Sequence, residues 1–253
     1  MVKTGLCSVT FRKKNPEDII KIASEAGLQV IEWGGDVHVP PGDLAYATKV
    51  GELTRNAGLE VSSYGSYYRA GDNESILPII QTAQSLGTTS IRIWAGVMDR
   101  SKEVGKINEE DFNRIVKDVK ESARIAREYE MSLHLEYHRW TYTDTPESSK
   151  LLMEAINEPN VFLYWQPATG ITKEDRLKSI ELLQPWLTNI HVFQWDENFR
   201  RYSLEDGKNE WKSYINHIES LSPVERSYLL EFVKDEDVTQ FKQDVETLKQ
   251  FFL

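Results

Sequence analysis

The sequence predicts an α/β protein with one domain, a (β/α)8 TIM barrel that spans residues 1–253. Apolar strand-like runs alternate with segments of helical spacing from one end of the chain to the other. In addition, 253 residues is a common length for one such barrel, and no linker or composition break divides the chain. A doubly wound sheet is the competing architecture, but the first run leads into SVTFRKKNPED, without the G-x-G-x-x-G turn of that fold.

The predicted strands are short runs rich in Val, Ile, Leu and aromatic residues. They lie near residues 3–9, 28–33, 59–64, 89–95, 131–137, 160–166, 187–193 and 227–233. Strands that are buried on both faces, as in a parallel barrel, read as such continuous apolar runs. Polar side chains at the ends of these runs therefore require an explanation.

Capping residues and apolar periodicity predict the helices between the strands. Asn15 followed by Pro16 supplies an N-cap and a proline at the first helical position. Asn108 is the predicted N-cap of a helix over residues 108–129, and the acidic residues after it suit the positive end of the helix dipole. The apolar residues of the last helix recur at helical spacing: Val238, Phe241, Val245, Leu248 and Phe252.

The charge balance restricts the partners of this protein. Lys and Arg total 30 against 40 Asp and Glu, a formal net charge of −10. Nucleic-acid binding usually needs a basic surface that neutralises phosphates, so we expect no nucleic-acid partner. An acidic chain suits a small neutral substrate, or a cation that carboxylates hold.

Cysteine content and hydropathy indicate the cellular compartment in which the protein is expected. Cys7 is the one cysteine, so the chain has neither an internal disulfide nor a thiolate zinc site. The first residues, MVKTGLCSVTF, read as a strand instead of a signal peptide, and no apolar run approaches the ~18 residues of a membrane span. We therefore expect a cytoplasmic protein with no membrane partner. A homodimer is compatible with the sequence, although no segment is a recognisable interface.

Four polar residues lie at the ends of consecutive predicted strands in the second half of the chain: Glu136, Gln166, His191 and Glu231. The carboxyl ends of barrel strands form the active-site face, so these side chains are expected to converge. Two carboxylates, an amide oxygen and an imidazole form an oxygen-rich set that suits a hard divalent ion. We expect Mn²⁺, Mg²⁺ or Zn²⁺, and the sequence leaves the identity of the ion open.

Each of these residues also has a structural explanation. Salt bridges inside the barrel would satisfy Glu136 and Glu231, and a backbone carbonyl would satisfy His191. The residues taken together favour a functional site, because a buried carboxylate is costly unless it is paired or bound to a metal.

Strand alternation and the loops after the strands indicate the substrate contacts. On the fourth strand Arg92 and Trp94 are expected to point into the barrel, as is Tyr64 on the third. Glu32, at the end of the second strand, is explained equally well by a role in the site and by pairing with Arg92. The residues expected to contact substrate are His38, Tyr64, Arg92, Trp94, His138, Trp195 and Arg201.

Cations in the predicted mouth loops would reach a phosphate group on a substrate: Arg100, Lys102, Arg200 and Arg201. Such loop cations are commonly just solvated. The chain has no recognisable phosphate-binding turn, which favours an unphosphorylated sugar.

Several short segments resemble those of a known family. VIEWGG follows the first helix, LHLEYH lies on the fifth strand, HVFQW on the seventh and LLEFV on the eighth. SLEDGKNEW is similar to a glycine-containing loop after the seventh strand. In this order the segments resemble the xylose isomerase-like TIM barrel superfamily, in particular the sugar phosphate isomerase/epimerase group that includes ketose 3-epimerases and inosose dehydratases. The resemblance covers essentially the whole chain.

The resemblance implies a metal held by a glutamate, an aspartate, a histidine and a glutamate on strands five to eight. The corresponding positions here are Glu136, Gln166, His191 and Glu231, and the two glutamates would also be the catalytic acid and base. The chain departs from this pattern, because Gln166 replaces the aspartate and Thr169 stands where a histidine often follows. An amide ligates through oxygen but adds no negative charge, so a lower metal affinity is expected.

We therefore expect a metal-dependent sugar or polyol isomerase or epimerase, in which proton transfer passes through a metal-stabilised enediolate. Two alternatives stay open: an inosose-type dehydratase that uses the same site, and a non-catalytic carbohydrate-binding barrel that has lost its metal. Endonuclease IV, within the same superfamily, uses a three-metal cluster rich in histidine, which the five histidines and acidic charge of this chain fit poorly. The presence of both Glu136 and Glu231 favours an enzyme over a binding protein.

Overall fold

The computed structural model describes residues 2–97, 108–221 and 224–253. Its strands are β1 Val2–Cys7, β2 Val30–Gly34, β3 Glu60–Arg69, β4 Ser90–Trp94, β5 Ser132–Glu136, β6 Val161–Trp165, β7 Leu187–Val192 and β8 Arg226–Leu230. Neighbouring strands pair in parallel in chain order, and β1 closes the barrel against β8. This topology confirms the predicted (β/α)8 TIM barrel.

Each strand is followed by a helix on the outside of the barrel. The helices are α1 Pro16–Glu25, α2 Leu44–Asn56, α3 Leu77–Leu86, α4 Glu109–Glu128, α5 Pro146–Ile156, α6 Lys173–Leu183, α7 Lys208–Leu221 and α8 Val238–Gln250. Two predicted caps are confirmed. The Asn15 side chain accepts a hydrogen bond from the Asp18 N–H, and the Asn108 side chain accepts from those of Glu110 and Asp111.

Apolar side chains fill two layers of the barrel. The larger layer lies between strands and helices and includes Trp33 and Trp165, which are fully buried. A small cluster of Val30, Tyr164 and Leu229 lies inside the barrel. Polar groups occupy the interior nearer the carboxyl ends of the strands, and these groups form the candidate site.

A bulge in β3 changes which of its side chains face the barrel interior. The register of β3 against β2 shifts by one residue between Ile31 and Glu32, which places Glu32 opposite Ser63. Strict alternation would turn Tyr64 inward, whereas the bulge turns Ser63 inward and Tyr64 toward the helices. Tyr64 is fully buried there, and its hydroxyl donates to the carbonyl of Val39. The prediction that Tyr64 faces the interior is therefore wrong.

None of the helices in the described ranges has the length and apolar composition that crossing a bilayer requires.

Of the loop cations considered for phosphate, Arg200 and Arg201 lie between β7 and α7. Arg100 and Lys102 lie outside the described residues.

Candidate metal centre

The side chains of the four predicted metal ligands meet at the carboxyl end of the barrel. Glu136 ends β5, Gln166 follows β6, His191 lies in β7 and Glu231 follows β8. The Nδ1 atom of His191 lies 3.4 Å from Oε1 of Glu136 and 3.4 Å from Oε2 of Glu231. The same atom lies 3.3 Å from the amide oxygen of Gln166. The fold thus brings together the four residues at the strand ends.

This set of atoms fits a divalent cation. One carboxylate oxygen each from Glu136 and Glu231, together with a ring nitrogen of His191, lie within 4.8 Å of one another. Ligands bound ~2.1 Å from one ion are themselves roughly 3 Å apart, which is close to these separations. Nδ1 of His191 faces three oxygen acceptors but can donate only one hydrogen. A bound cation would therefore satisfy more of these atoms than a proton does.

A buried arginine holds one of the two glutamates. Arg92 is 1% exposed, and its guanidinium pairs with Glu32 (Nε to Oε1, 2.8 Å) and with Oε2 of Glu136. The indole N–H of Trp94 donates to the same Oε2 atom over 2.7 Å. Burial acts to raise the pKa of Glu136, but Arg92, together with His191 and His138, outweighs burial and holds that pKa well below its usual range. Oε2 is therefore occupied by two donors, while Oε1 faces His191.

Glu32 of β2 lies behind the histidine. Its fully buried carboxylate accepts the Ser63 hydroxyl over 2.8 Å and the Cys7 thiol over 3.3 Å. Nε2 of His191 lies 3.4 Å from Oε1 of Glu32. The sequence pointed to the pairing of Glu32 with Arg92, which is confirmed, but not to the contacts with His191 and Cys7. These contacts connect residues of β1, β2 and β7. The alternation of side chains along one strand does not predict contacts between residues so far apart in the chain.

The close approach of three carboxylates to one imidazole shifts the pKa values of the site. Burial, together with the charge of Glu136, raises the pKa of Glu231 to about 7 against the opposing effect of His191. For His191, burial acts to lower the pKa, but Glu231 and Glu32 outweigh burial and raise the pKa to about 10. In the absence of a metal, these two groups hold protons that a bound cation would displace.

Tyr67 adjoins the centre and was not anticipated from the sequence. Its ring lies 5.1 Å from Cζ of Arg92, and its centroid is 5.5 Å from that of Trp94. Burial raises the pKa of its phenol well above the usual value. The backbone of Tyr67 has φ 59°, in the left-handed region. A bulky residue rarely adopts this conformation, so the sequence contained no signal for its placement.

Two predicted substrate contacts line a cavity of about 700 Å³ at the mouth of the barrel, His138 and Trp195. The His138 ring stacks on Trp94 with centroids 4.9 Å apart and an interplanar angle of 20°. Trp195 packs against Phe193 and Phe232, at centroid distances of 4.6 Å and 5.0 Å. Their contact with a substrate stays a prediction, now with a defined position.

Two other predicted contacts, His38 and Arg201, are not among the described residues that line this cavity. His38 is buried, with Nδ1 3.0 Å from the hydroxyl oxygen of Ser8. The guanidinium of Arg201 lies 5.0 Å from the ring centroid of Phe232 and 3.7 Å from the Glu236 carboxylate. Their roles in substrate binding also stay predictions.

Comparison with known proteins places this chain in a family. A family model described as a xylose isomerase-like TIM barrel matches residues 20–251. A 3-dehydroshikimate dehydratase of Bacillus anthracis is 24% identical over 207 residues, which cover 75% of this chain and 71% of that protein.

Solved structures are similar over almost the full length. The probable 3-DHS dehydratase of Bacillus anthracis gives a TM-score of 0.79 at 17% identity, over 98% of this chain and 99% of that chain. The 3-keto-D-glucoside 4-epimerase of E. coli gives 0.76 at 14% identity, over 100% of this chain and 99% of that chain. At this identity the structures show the common fold, and the family assignment rests on the family model. The chain belongs to the xylose isomerase-like TIM barrel family.

Proposed function

We propose that this protein is a metal-dependent isomerase or epimerase of sugars or polyols that moves a proton at a carbon next to the carbonyl of a sugar or of a keto polyol such as an inosose. The observation that carries the proposal is the convergence of Glu136, His191 and Glu231, with ligand atoms within 4.8 Å of one another, beside the amide oxygen of Gln166. Similarity to a sugar epimerase and to a dehydratase supports this class of chemistry.

The two glutamates would have different roles. A divalent ion at the centre would polarise the substrate carbonyl and stabilise the negative charge that develops as the neighbouring carbon loses its proton. Glu136 serves as a fixed anionic ligand, because Arg92 and Trp94 hold its other oxygen. Among the described residues, Glu231 faces His191 without such a pair of donors, which leaves its carboxylate the freer of the two to accept and return a proton. We therefore assign proton transfer chiefly to Glu231.

A dehydratase that uses the same site is the second candidate, and the asymmetry of the glutamates favours it. Elimination needs one base that removes a proton and then protonates the departing hydroxyl, and Glu231 would suffice. An epimerase needs a second proton donor on the opposite face, which is the position that Glu136 would fill. Glu136 is engaged by Arg92 and Trp94, which restricts it in that role. The similarity to a 3-dehydroshikimate dehydratase points in the same direction.

The test measures metal binding and proton transfer on the same samples. Metal-depleted protein is reconstituted with Mn²⁺, Mg²⁺ or Zn²⁺, and elemental analysis is expected to find one equivalent in the wild type and none in Glu231→Gln. The reconstituted protein is then incubated in D₂O with ketoses, inososes and 3-dehydroshikimate, while NMR follows deuterium incorporation. Deuterium at an inverted or adjacent carbon identifies an epimerase or an isomerase, and an unsaturated product identifies a dehydratase.

A matched control is Glu60→Gln, which removes an exposed glutamate that pairs with Lys3 at the opposite end of the barrel. This variant is expected to bind metal as the wild type does. If the wild type binds no metal and exchanges no proton, the proposal is wrong. Carbohydrate binding without catalysis would then explain the barrel better, with Gln166 as the position at which the metal site was lost.

A further inference from the structure

The cavity at the mouth of the barrel is larger than a small polyol at the metal centre would fill. It encloses about 700 Å³ and reaches the centre at Gln166, whose amide oxygen lies 3.3 Å from His191. Protein cavities of roughly 300–1,000 Å³ typically enclose a ligand of drug size. The reacting part of the substrate would occupy the inner end, which leaves the outer part for a further chemical group.

Aromatic side chains form much of the outer wall. They come from the ends of β5 and β7 and from the loops that follow: Tyr137, Trp140, Phe193, Trp195 and Phe199. A sugar ring packs one apolar face on such a side chain and directs its hydroxyls to polar groups. A wall of several rings instead favours a planar apolar group, because ring contacts and buried apolar area both stabilise its binding.

Arg139 lies between two of these rings. Its Cζ atom is 4.8 Å from the ring centroid of Trp140 and 5.3 Å from that of Phe199. A guanidinium is planar and stacks on aromatic faces, so it joins the two rings into one surface. The surface is contributed by the loop after β5 and the loop after β7, which lie on either side of the strand that leads to Gln166.

Backbone strain marks the same two aromatic residues. Trp140 and Phe199 both have φ 63°, in the left-handed region. This conformation is unfavourable for bulky residues and is found where the surrounding structure imposes it, often at ligand sites. Phe199 is also 42% exposed, so Arg139 and Trp195 leave much of this ring uncovered. A ligand in the outer cavity would cover this ring.

The charges of the cavity wall restrict the charge of the group that can bind in the outer cavity. Among the described residues, the cavity wall includes one cation, Arg139, and two carboxylates, those of Asp144 and Glu197. Such a wall carries no excess of positive charge for a phosphate or carboxylate group. Of the groups without a negative charge, an uncharged one costs less to remove from water than a cation does, so an uncharged group fits the outer cavity best.

We propose that the substrate carries an uncharged aromatic group, as in an aryl glycoside of a keto sugar, with the keto sugar at the metal centre and the aromatic ring in the outer cavity. This inference rests on the proposed function, because it takes the keto sugar to lie at the Gln166 end. The rings of Trp140 and Phe199 make the principal contacts with the aromatic group.

The experiment compares phenyl and methyl glycosides of glucose, galactose and xylose, in pairs that differ only in the aglycone. These glycosides lack the carbonyl that would react, so they measure binding alone. Binding is measured by calorimetry to the metal-depleted and the Mg²⁺-loaded protein. In each pair the phenyl glycoside is expected to bind at least about ten-fold more tightly, as burial of a phenyl ring predicts. Equal affinity within the pairs, or no binding of any phenyl glycoside in the millimolar range, would overturn the proposal.

Two variants test whether the aromatic group of the ligand binds in this cavity. Phe199→Ala and Trp140→Ala are each expected to reduce the preference for phenyl over methyl glycosides to about three-fold or less. Leu44→Ala is the matched control, because Leu44 is 39% exposed on α2 and truncation there also removes exposed apolar surface. Its preference should equal that of the wild type. Melting curves establish that each variant is folded, and a preference that survives in both folded variants would place the aromatic group elsewhere.

Paramagnetic broadening fixes the orientation of the ligand. In the Mn²⁺-loaded protein, the sugar protons of a phenyl glycoside should broaden more than its phenyl protons, because the sugar lies nearer the metal centre. The reverse order contradicts the proposed orientation. Elemental analysis of the same samples separates the two proposals. Metal binding without an aryl preference overturns only the substrate class, whereas an aryl preference without any metal overturns the proposed chemistry.

Discussion

Nε2 of His191 lies 3.4 Å from Oε1 of Glu32, on the side of the imidazole that faces away from the predicted metal ligands. A histidine that ligates a metal through one nitrogen usually gives its other N–H to a carboxylate or a carbonyl, which fixes the tautomer and the orientation of the ring. Glu32 is positioned for this role behind His191, because a metal at Nδ1 would leave the N–H on Nε2, which faces Glu32. Arg92 and Ser63, each 2.8 Å from the Glu32 carboxylate, hold Glu32 in place.

The first prediction concerns this pair. Glu32→Gln should lower the affinity for Zn²⁺ by about 10–100-fold, because an amide orients the imidazole less strongly than a carboxylate does. Competition with a chelator measures the affinity, and ¹⁵N NMR of the Zn²⁺-loaded wild type should find the proton of His191 on Nε2.

Glu32→Gln also leaves Arg92 with one fewer carboxylate, so its melting temperature is measured alongside. Ser63→Ala, which removes a hydrogen bond to Glu32 without touching His191, provides a milder second variant and should lower the affinity less. A folded Glu32→Gln protein with unchanged Zn²⁺ affinity would show that Glu32 has no part in the metal site.

The second prediction concerns the amide ligand. Gln166→Asp adds a negative charge beside Nδ1 of His191 and should raise the affinity for Mn²⁺ or Zn²⁺ by about ten-fold or more, since the charge of the ligand set tunes affinity for hard cations. Gln166→Asn is the matched control, because it shortens the side chain as aspartate does but leaves it neutral. Equal affinities of the two variants would mean that Gln166 lies outside the metal-binding set.

The third prediction is the pH dependence of metal binding. Glu231, with pKa about 7, and His191, with pKa about 10, both hold protons in the metal-free protein at pH 6. A metal must displace these protons, so affinity should rise by about ten-fold per pH unit for each proton displaced. Calorimetry in buffers of different ionisation enthalpy, between pH 6 and 8, counts the protons released. An affinity that is flat over this range would contradict the assignment of both residues as ligands.

The fourth prediction concerns the stability of the metal-free protein. The pKa of Glu231 is raised from 4.5 to about 7, so the folded chain binds more protons at this group than the unfolded chain between those pH values. The contribution of Glu231 to stability therefore falls as pH rises through that window and is constant above it, a loss of about 1–3 kcal/mol.

Glu231→Gln lacks this titration. Between pH 4.5 and pH 8, the melting temperature of the variant should rise by several degrees relative to that of the wild type, both without metal. Thermal melting followed by circular dichroism across this range checks the prediction. Parallel profiles for the two proteins would show that Glu231 titrates normally in the folded state.

Much of the fold follows from local patterns. The apolar runs marked the strands, and Asn15 and Asn108 marked helix starts, because a side-chain cap and a proline or acidic first turn act within a few residues. The convergence of the four strand-end residues was also predictable, since parallel barrel strands present their carboxyl ends on one face.

Predictions made from strand alternation were wrong where the strand geometry was irregular. The bulge in β3 inverts the faces of Ser63 and Tyr64, and Tyr67 further along adopts a left-handed backbone. A bulge depends on the pairing of β3 with its neighbours, so its own sequence does not reveal it.

The sequence by itself determined the order of strands and helices and the set of polar residues at the strand ends, because both depend on spacing along the chain. The tertiary structure decided which glutamate is held by Arg92 and which faces His191 without that partner. It also decided that Glu32 lies behind the imidazole and that two strained aromatic rings flank Arg139. These relationships join residues far apart in the chain, and only closure of the barrel sets the distances that shift their pKa values and shape the cavity.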